Sequence, residues 1–162
     1  MSEQNIRIDV KHCASESYRE MKARQQREVN GFPKAFAFSD RQFVEGMRSL
    51  GLDPADRDKI VFIGGGGFIR KTDEAAFQAM FQRHRLERET AMDADQTGNG
   101  YLLEMFCCEF ANHEYGYTRD AEPALMALGI SWEDIGGDGR LLHAFETACC
   151  QEAEWYDKHC GV

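Results

Sequence analysis

Phe43, Val44, Met47 and Leu50 recur at helical spacing behind Ser39-Asp40-Arg41-Gln42, the pattern of a capping box, and Gly51 stops the run. A long second helix is predicted behind Thr72 and Asp73, which stand as caps, with Phe77, Met80, Phe81 and His84 on one side. On that apolar face His84 reads as a core histidine. Tyr101 to His113 is apolar nearly all round through Leu102, Met105, Phe106, Cys107 and Phe110, which predicts a central buried helix. Ala121 to Leu128 forms a short helix ended by Gly129, and Ser131 opens another turn before Gly136-Gly137. A last helix, from about Asp138 to Lys158, is expected to bury Leu141, Leu142, Phe145, Cys149, Trp155 and Tyr156.

Ile60-Val61-Phe62-Ile63 and Phe68-Ile69-Arg70 flank four glycines and read as two short strands joined in a hairpin. Glu16 to Glu28 is rich in helix formers but poor in apolar positions, so it reads as an exposed, peripheral helix ending before Gly31-Phe32-Pro33. In Met47-Arg48-Ser49-Leu50-Gly51-Leu52 and Met126-Ala127-Leu128-Gly129-Ile130, glycine takes the left-handed position of a Schellman stop and the next apolar residue folds back. The expected fold is mainly α (α+β): a single-domain helical bundle of about six helices with one small β-hairpin, in which residues 1–14 form a loosely ordered arm.

At 162 residues the chain suits one domain with a real core. No apolar run has the length of a signal peptide or a membrane span, so a soluble, cytoplasmic protein is expected. Four of the six cysteines lie in adjacent pairs, Cys107-Cys108 and Cys149-Cys150, inside predicted helices; reduced, mostly buried thiols are expected rather than disulfides. The doublets His12-Cys13 and His159-Cys160 would make a zinc site only if the termini met, and they lack any C-x-x-C spacing. Charge is uneven. Up to Thr90 there are 16 Lys or Arg against 14 Asp or Glu, and from Ala91 onward 3 against 14, a net of −11. Such a surface repels nucleic acid and membrane phosphate and attracts basic partners or cations; an acidic surface that merely maintains solubility is the plainer alternative.

Asp93 to Glu104 reads D-A-D-Q-T-G-N-G-Y-L-L-E and matches most of an EF-hand calcium loop. Asp93, Asp95, Thr97, the Asn99 carbonyl and Glu104 would supply oxygen, with Gly98 at the sharp turn. Gly100 stands where such loops place an aliphatic residue, and the chain holds no second loop to pair with. A plain polar connection is the alternative. Gly64, Gly65, Gly66 and Gly67, followed by Arg70 and Lys71, invite a phosphate- or nucleotide-cradle reading, but the spacing is neither that of a P-loop nor that of a dinucleotide fingerprint. A hairpin turn that admits a close neighbour explains the same glycines. Asn112 to Thr118 gathers His113, Glu114, Tyr115 and Tyr117; a polar network closing the helix end explains it better than proton transfer without an assignable nucleophile. Residues 127–131 resemble the turn of a helix-turn-helix reader, but the helix that would follow, Trp-Glu-Asp-Ile-Gly-Gly, is acidic, which excludes phosphate contact.

Phe36-Ala37-Phe38-Ser39-Asp40 with Phe43, then Ile63 to Lys71, then Ala111 to Thr118 resemble a family of small uncharacterised proteins carried by phages, plasmids and genomes of gut Firmicutes. The similarity spans about residues 20–158. It implies a mobile-element origin and supplies no catalytic residues. The combined expectation is binding rather than chemistry. An acidic contact surface holding Asp93, Asp95, Glu104, Glu133, Asp134 and Asp138, with Arg70 and Lys71 as further contact residues, would meet a basic protein partner. That partner would be a nucleic-acid-binding host defence enzyme whose groove the protein occupies. Calcium regulation and a phosphate-ligand enzyme are the two alternatives.

Overall fold

The structure, a computed structural model, describes residues 16–161. The expected N-terminal arm and the His12-Cys13 doublet lie outside these residues. Among them are eight α-helices: α1 (Tyr18–Gly31), α2 (Asp40–Ser49), α3 (Glu74–Ala94), α4 (Tyr101–Asn112), α5 (Tyr115–Thr118), α6 (Glu122–Leu128), α7 (Trp132–Gly137) and α8 (Gly139–His159). Three strands, β1 (Ala35–Phe36), β2 (Ile60–Gly64) and β3 (Gly67–Arg70), form an antiparallel sheet of order β1-β3-β2. The fold is predominantly α with this small β element. The chain packs as two compact units, one of the described residues 16–24 and 87–161 and one of Gln25–Leu86. The boundary falls inside two helices, after Arg24 and after Leu86.

In the Gln25–Leu86 unit the hairpin forms as the glycine run predicts. Gly65 and Gly66 have φ of 57° and 75°, the pair of positive angles a two-residue type I′ turn requires, and Gly64 pairs with Gly67 across it. The third strand is not legible as a strand, because Ala35-Phe36 offers two residues and no alternation. It is held by tertiary pairing, Ala35 opposite Phe68 and Phe36 opposite Gly67, with the Ala37 N–H donating to the Gly66 carbonyl at 2.9 Å. Side chains on Gly66 or Gly67 would collide with Phe38 or with Phe36 and Ile63, so these glycines admit β1 as well as turn the chain.

Phe68 is fully buried beneath α2, with Ala35, Met47, Leu50 and Ile60 around it. Helix α2 starts as predicted, the Ser39 hydroxyl accepting from the Gln42 N–H, but the Gln42 side chain accepts from Phe38 N–H, one residue before the position a capping box uses. It ends in the expected Schellman pair, Gly51 N–H to Arg48 and Leu52 N–H to Met47, with Gly51 at φ 73°. A 3-10 turn, Lys71–Asp73, leads into α3, and Asp73, expected as a cap, accepts instead from Arg70 Nε at 2.6 Å. His84 is buried as expected and is held by Glu28 at 2.9 Å.

The other unit is built on α4. Leu102, Met105, Phe106 and Phe110 are fully buried, and Ala124, Leu125, Leu128, Ile135, Leu141, Ala144 and Ala148 close around them. Helix α1 is not peripheral. Its Tyr18 joins the core around α4 and its Met21 packs against Ala91 and Tyr101, and Glu109, on the supposedly apolar α4, is buried too and finds its partners on α1. The Tyr18 hydroxyl donates to Glu109 at 2.7 Å and Lys22 pairs with the same carboxylate. On α8 the buried stripe is Leu141, Ala144 and Ala148. Leu142, expected inside, falls about 100° off that stripe and is exposed. Trp155, also expected inside, is 55% exposed at a helix end that the core does not reach. The thiols divide: Cys107, Cys108 and Cys149 are partly buried, while Cys150 and Cys160 are exposed, and all five are free. Burial pushes the Cys107 thiol up to about 11, which keeps it protonated.

Two substitutions test this packing. A Cβ at Gly46 would stand 2.7 Å from a Phe68 ring carbon and 2.9 Å from the Ala35 Cβ. Helix propensity gains about 1 kcal/mol from Gly46→Ala, but overpacking costs about 1–3 kcal/mol. The denaturant midpoint is therefore expected to fall at unchanged m, and a rise would refute the close contact. For Glu109, burial pushes its pKa up, but the bonds from Lys22 and Tyr18 outweigh that and hold it below its ordinary value. A depressed folded pKa stabilises above the unfolded value of about 4.3 and loses that contribution as pH falls through the folded pKa. Glu109→Gln is expected to lose roughly 2 kcal/mol at neutral pH and to flatten the decline of stability below about pH 4, measured by urea unfolding across pH.

Candidate functional site

The connection from α3 to α4 carries the calcium-like run, and the side chains of Asp95, Thr97, Asn99 and Glu104 have protein partners, while the exposed Asp93 engages through its backbone carbonyl. Asp95 is the hub. Its carboxylate accepts from the backbone N–H groups of Thr97, Gly98, Gly100 and Leu102 at 2.9–3.2 Å. Partial burial pushes the Asp95 pKa up, but these four donors outweigh it and hold the carboxyl below the usual range. Thr97 Oγ1 accepts from Asn99 N–H at 3.2 Å, and Asn99 Oδ1 lies 2.8 Å from His143 Nε2. Glu104 turns away to accept from Tyr18 N–H at 2.9 Å, at the start of α1.

A cation does sit at this loop, and it belongs to the chain. Arg140 Nη1 donates to the carbonyls of Asp95 at 2.7 Å, Asp93 at 3.3 Å and Met92 at 3.4 Å, answering the negative end of α3. Asp138 holds that guanidinium through Nη2 at 2.8 Å and caps α8 through Arg140 N–H at 2.9 Å. The hydrogen bond from Arg140 keeps Asp138 well below the usual carboxylate range. Gly98, with φ 75°, lies against the Arg140 carbonyl so closely that no Cβ fits. The sequence matches an EF-hand at this position because closing a polar loop and coordinating calcium ask for the same residues. Among the described residues no group of three or more His, Cys, Asp or Glu is placed to hold a metal.

The glycine cradle does not assemble. Gly64 to Gly67 form the hairpin tip, whereas Arg70 pairs with Ile60 at the open end. Three to five residues of extended strand separate them, about 10–17 Å, and the Arg70 guanidinium is engaged by Asp73. Arg70 and Lys71 instead line a hollow of 450 Å³ with Leu52, Asp58, Lys59 and Thr72.

Glu133, Asp134 and Asp138 come together. With Arg88, Glu89 and Met92 they line a 490 Å³ groove in the unit that holds α4. Asp134 completes a capping box with Ser131, which holds its carboxyl below the ordinary range, so it stays ionised at neutral pH. Glu133 is exposed.

A second groove in the same unit, of 590 Å³, lies where α5 meets α8. It is lined by Phe110, Ala111, Glu114, Gly116, Tyr117, Glu152, Trp155, Tyr156 and Cys160. Tyr115 stacks on Phe110 with ring centroids 4.6 Å apart, and His113 lies 3.6 Å from Glu109, but Tyr115 and His113 are only half-buried and Tyr117 is exposed, so the polar residues here do not form one buried network. Gly116 permits the approach, since a Cβ there would stand 2.9 Å from Tyr156 Cβ. Glu114 and Arg119, at φ 57° and 56°, bracket α5 and are the non-glycine residues of positive φ among those described. Residues 112–118 singled themselves out in the sequence, but the α8 half of this groove did not, because Glu152 and Trp155 look like ordinary helix positions.

The family's sequence profile matches residues 17–151. The chain belongs to DUF7659, a family of unknown function. Over 88 residues it is 28% identical to a DNA mismatch repair protein MutL from Lactobacillus delbrueckii subsp. bulgaricus, a match that takes in 51% of this chain and 14% of that protein. No solved structure matches the DUF7659 chain. No helix among the described residues is long and apolar enough to cross a membrane.

Because the side chains of Asp95, Thr97, Asn99 and Glu104 and the carbonyl end of α3 are committed within the protein, millimolar calcium is expected to leave the thermal midpoint where magnesium and EDTA leave it. Asp95→Asn is expected to lower stability by roughly 2 kcal/mol through lost charge-assisted bonds. A calcium-specific rise abolished by Asp95→Asn would reverse this reading.

Proposed function

We propose that this DUF7659 chain is a non-enzymatic acidic binding protein that engages a basic macromolecular partner through the unit built on α4. The observation that carries the reading is the partition of charge. Among its described residues this unit holds 18 Asp or Glu against 7 Lys or Arg, a net of −11, while Gln25–Leu86 holds 8 against 10. The acidic bias therefore coincides with one packed body, and Glu133, Asp134 and Asp138 share one of its grooves. Charge of one sign on one body raises the encounter rate with a partner of the opposite sign and falls off with salt. Arg70 and Lys71 belong to the other unit, where they are proposed as secondary contacts. With the mobile-element origin that the resemblance implies, the partner is a nucleic-acid-binding host defence enzyme, whose basic groove the carboxylates occupy in place of phosphate. The MutL match covers too little of that protein to carry mismatch repair to this chain.

The test is binding of a synthetic oligolysine probe against an oligoglutamate control, by calorimetry at about 50 and 300 mM salt. Oligolysine is expected to bind and to weaken at least tenfold at the higher salt, with Glu133→Lys weakening it further at low salt. Binding that ignores salt, or that oligoglutamate matches, would refute the reading.

A further inference from the structure

The groove between α5 and α8 has a composition that selects a ligand. Its lining includes two carboxylates and four aromatic rings, and no Lys or Arg. Neither the Glu114 nor the Glu152 carboxylate makes a hydrogen bond or a close ion pair with another described residue. Burial pushes the Glu152 carboxyl up and Arg19 acts against that across space, while the ion pair of Arg19 is with Glu104, at 3.8 Å. Arg119, the nearest arginine in sequence to α5, is committed to Asp157 at 2.6 Å. Two of the rings are accessible: Tyr117 is 70% and Trp155 55% exposed. The Trp155 indole is also held in place, stacked on His159 at 4.8 Å. Tyr117 faces Tyr156 with centroids 5.9 Å apart. Left-handed backbone at Glu114 brings one of the carboxylates to this wall on a residue type that rarely adopts it.

Uncommitted carboxylates beside exposed ring faces, with no Lys or Arg in the lining, are complementary to an organic cation that is weakly hydrated and flat. Guanidinium meets that description better than ammonium, since its planar fork pairs with a carboxylate through two parallel bonds while its face stacks on an aromatic ring. We infer that the groove of Glu114, Tyr117, Glu152, Trp155 and Tyr156 takes the guanidinium of an arginine side chain presented by a basic protein partner. The inference deepens the reading of an acidic binding protein and rests on it, naming the residue type that anchors the partner. A polypeptide source fits the site because α8, which forms one wall, also carries exposed Glu146 and Glu154, and the unit as a whole is acidic, so the flanking cations of a basic segment meet carboxylates as well.

The experiment compares two synthetic decapeptides of equal charge, one with arginines and one with lysines, together with agmatine as a free guanidinium. Binding is followed by tryptophan fluorescence and calorimetry, with Trp132 retained as an internal reference. The arginine peptide is expected to bind at least fivefold tighter than the lysine peptide, and agmatine weakly. Trp155→Ala and Glu152→Gln are each expected to remove that preference while leaving lysine-peptide binding within twofold. Tyr117→Ala, at an exposed position, provides a third variant whose folding is not in question. Equal affinity for the two peptides, unaffected by these variants, would overturn the arginine site and leave the acidic-binding reading standing. Failure of both peptides to bind would overturn both. Agmatine binding as tightly as the peptide would overturn the polypeptide source.

Discussion

A carboxylate inside an apolar core is among the costliest groups a fold can carry unless it is answered, and Glu109 is 3% exposed in the middle of α4. The answer comes from far away in sequence: Tyr18 and Lys22 of α1 both reach it, and Glu104, a turn and a half earlier, accepts from the first N–H of α1. That requirement returns residues 16–24 to the unit otherwise built from 87–161. Tyr18 also joins the core around α4, and Met21 packs against Ala91 and Tyr101.

The same economy of carboxylates governs the loop before α4. Asp95 gathers four backbone donors, and Asp138 orients Arg140 so that its guanidinium closes the carbonyl end of α3. Two helix ends and a loop are joined by one aspartate–arginine pair. Charged hydrogen bonds hold the place that a bound ion would hold in a calcium loop, and they use the residue types that the calcium pattern shares. Many of the acidic residues in this unit are thus structural as well as electrostatic, and capping does not discharge them. The bonds that employ Asp134 and Asp138 favour the charged form, so capping leaves their negative charge in place.

Negative charge in excess of these internal needs is what the proposed function draws on. The unit of Gln25–Leu86 invests its glycines and aromatics in a compact three-stranded sheet under α2, while the α4 unit carries the acid, the groove of Glu133, Asp134 and Asp138, and the groove of Glu114 and Glu152. A groove lined by Trp155, Tyr117 and uncommitted glutamates offers shape and stacking where a diffuse acidic surface offers only attraction. In the proposed function, long-range charge would bring a basic partner to the protein, and contact chemistry would choose which of its side chains is held.

Local regularities along the chain determined a good part of this architecture. The helical period of α2, α4 and α8, the glycine stops after α2 and α6, the Ser39 and Ser131 caps and the hairpin at Gly64–Gly67 all follow from contacts within a few residues, where backbone geometry and hydrogen-bond need are legible from residue type. The acidity of the later half is likewise a property of composition. Tertiary structure alone decided the rest: that Ala35-Phe36 becomes a strand, that Glu109 is inside while Trp155 and Leu142 are outside, and that Asp95 and Arg140 spend the EF-like pattern on the fold. It also decided that Arg70 and Lys71 stand apart from the glycines beside them, and that Glu114 and Glu152 share a wall. Each of these outcomes depends on which distant group arrives to satisfy a charge, fill a face or leave it open, and one-dimensional spacing does not encode that arrival.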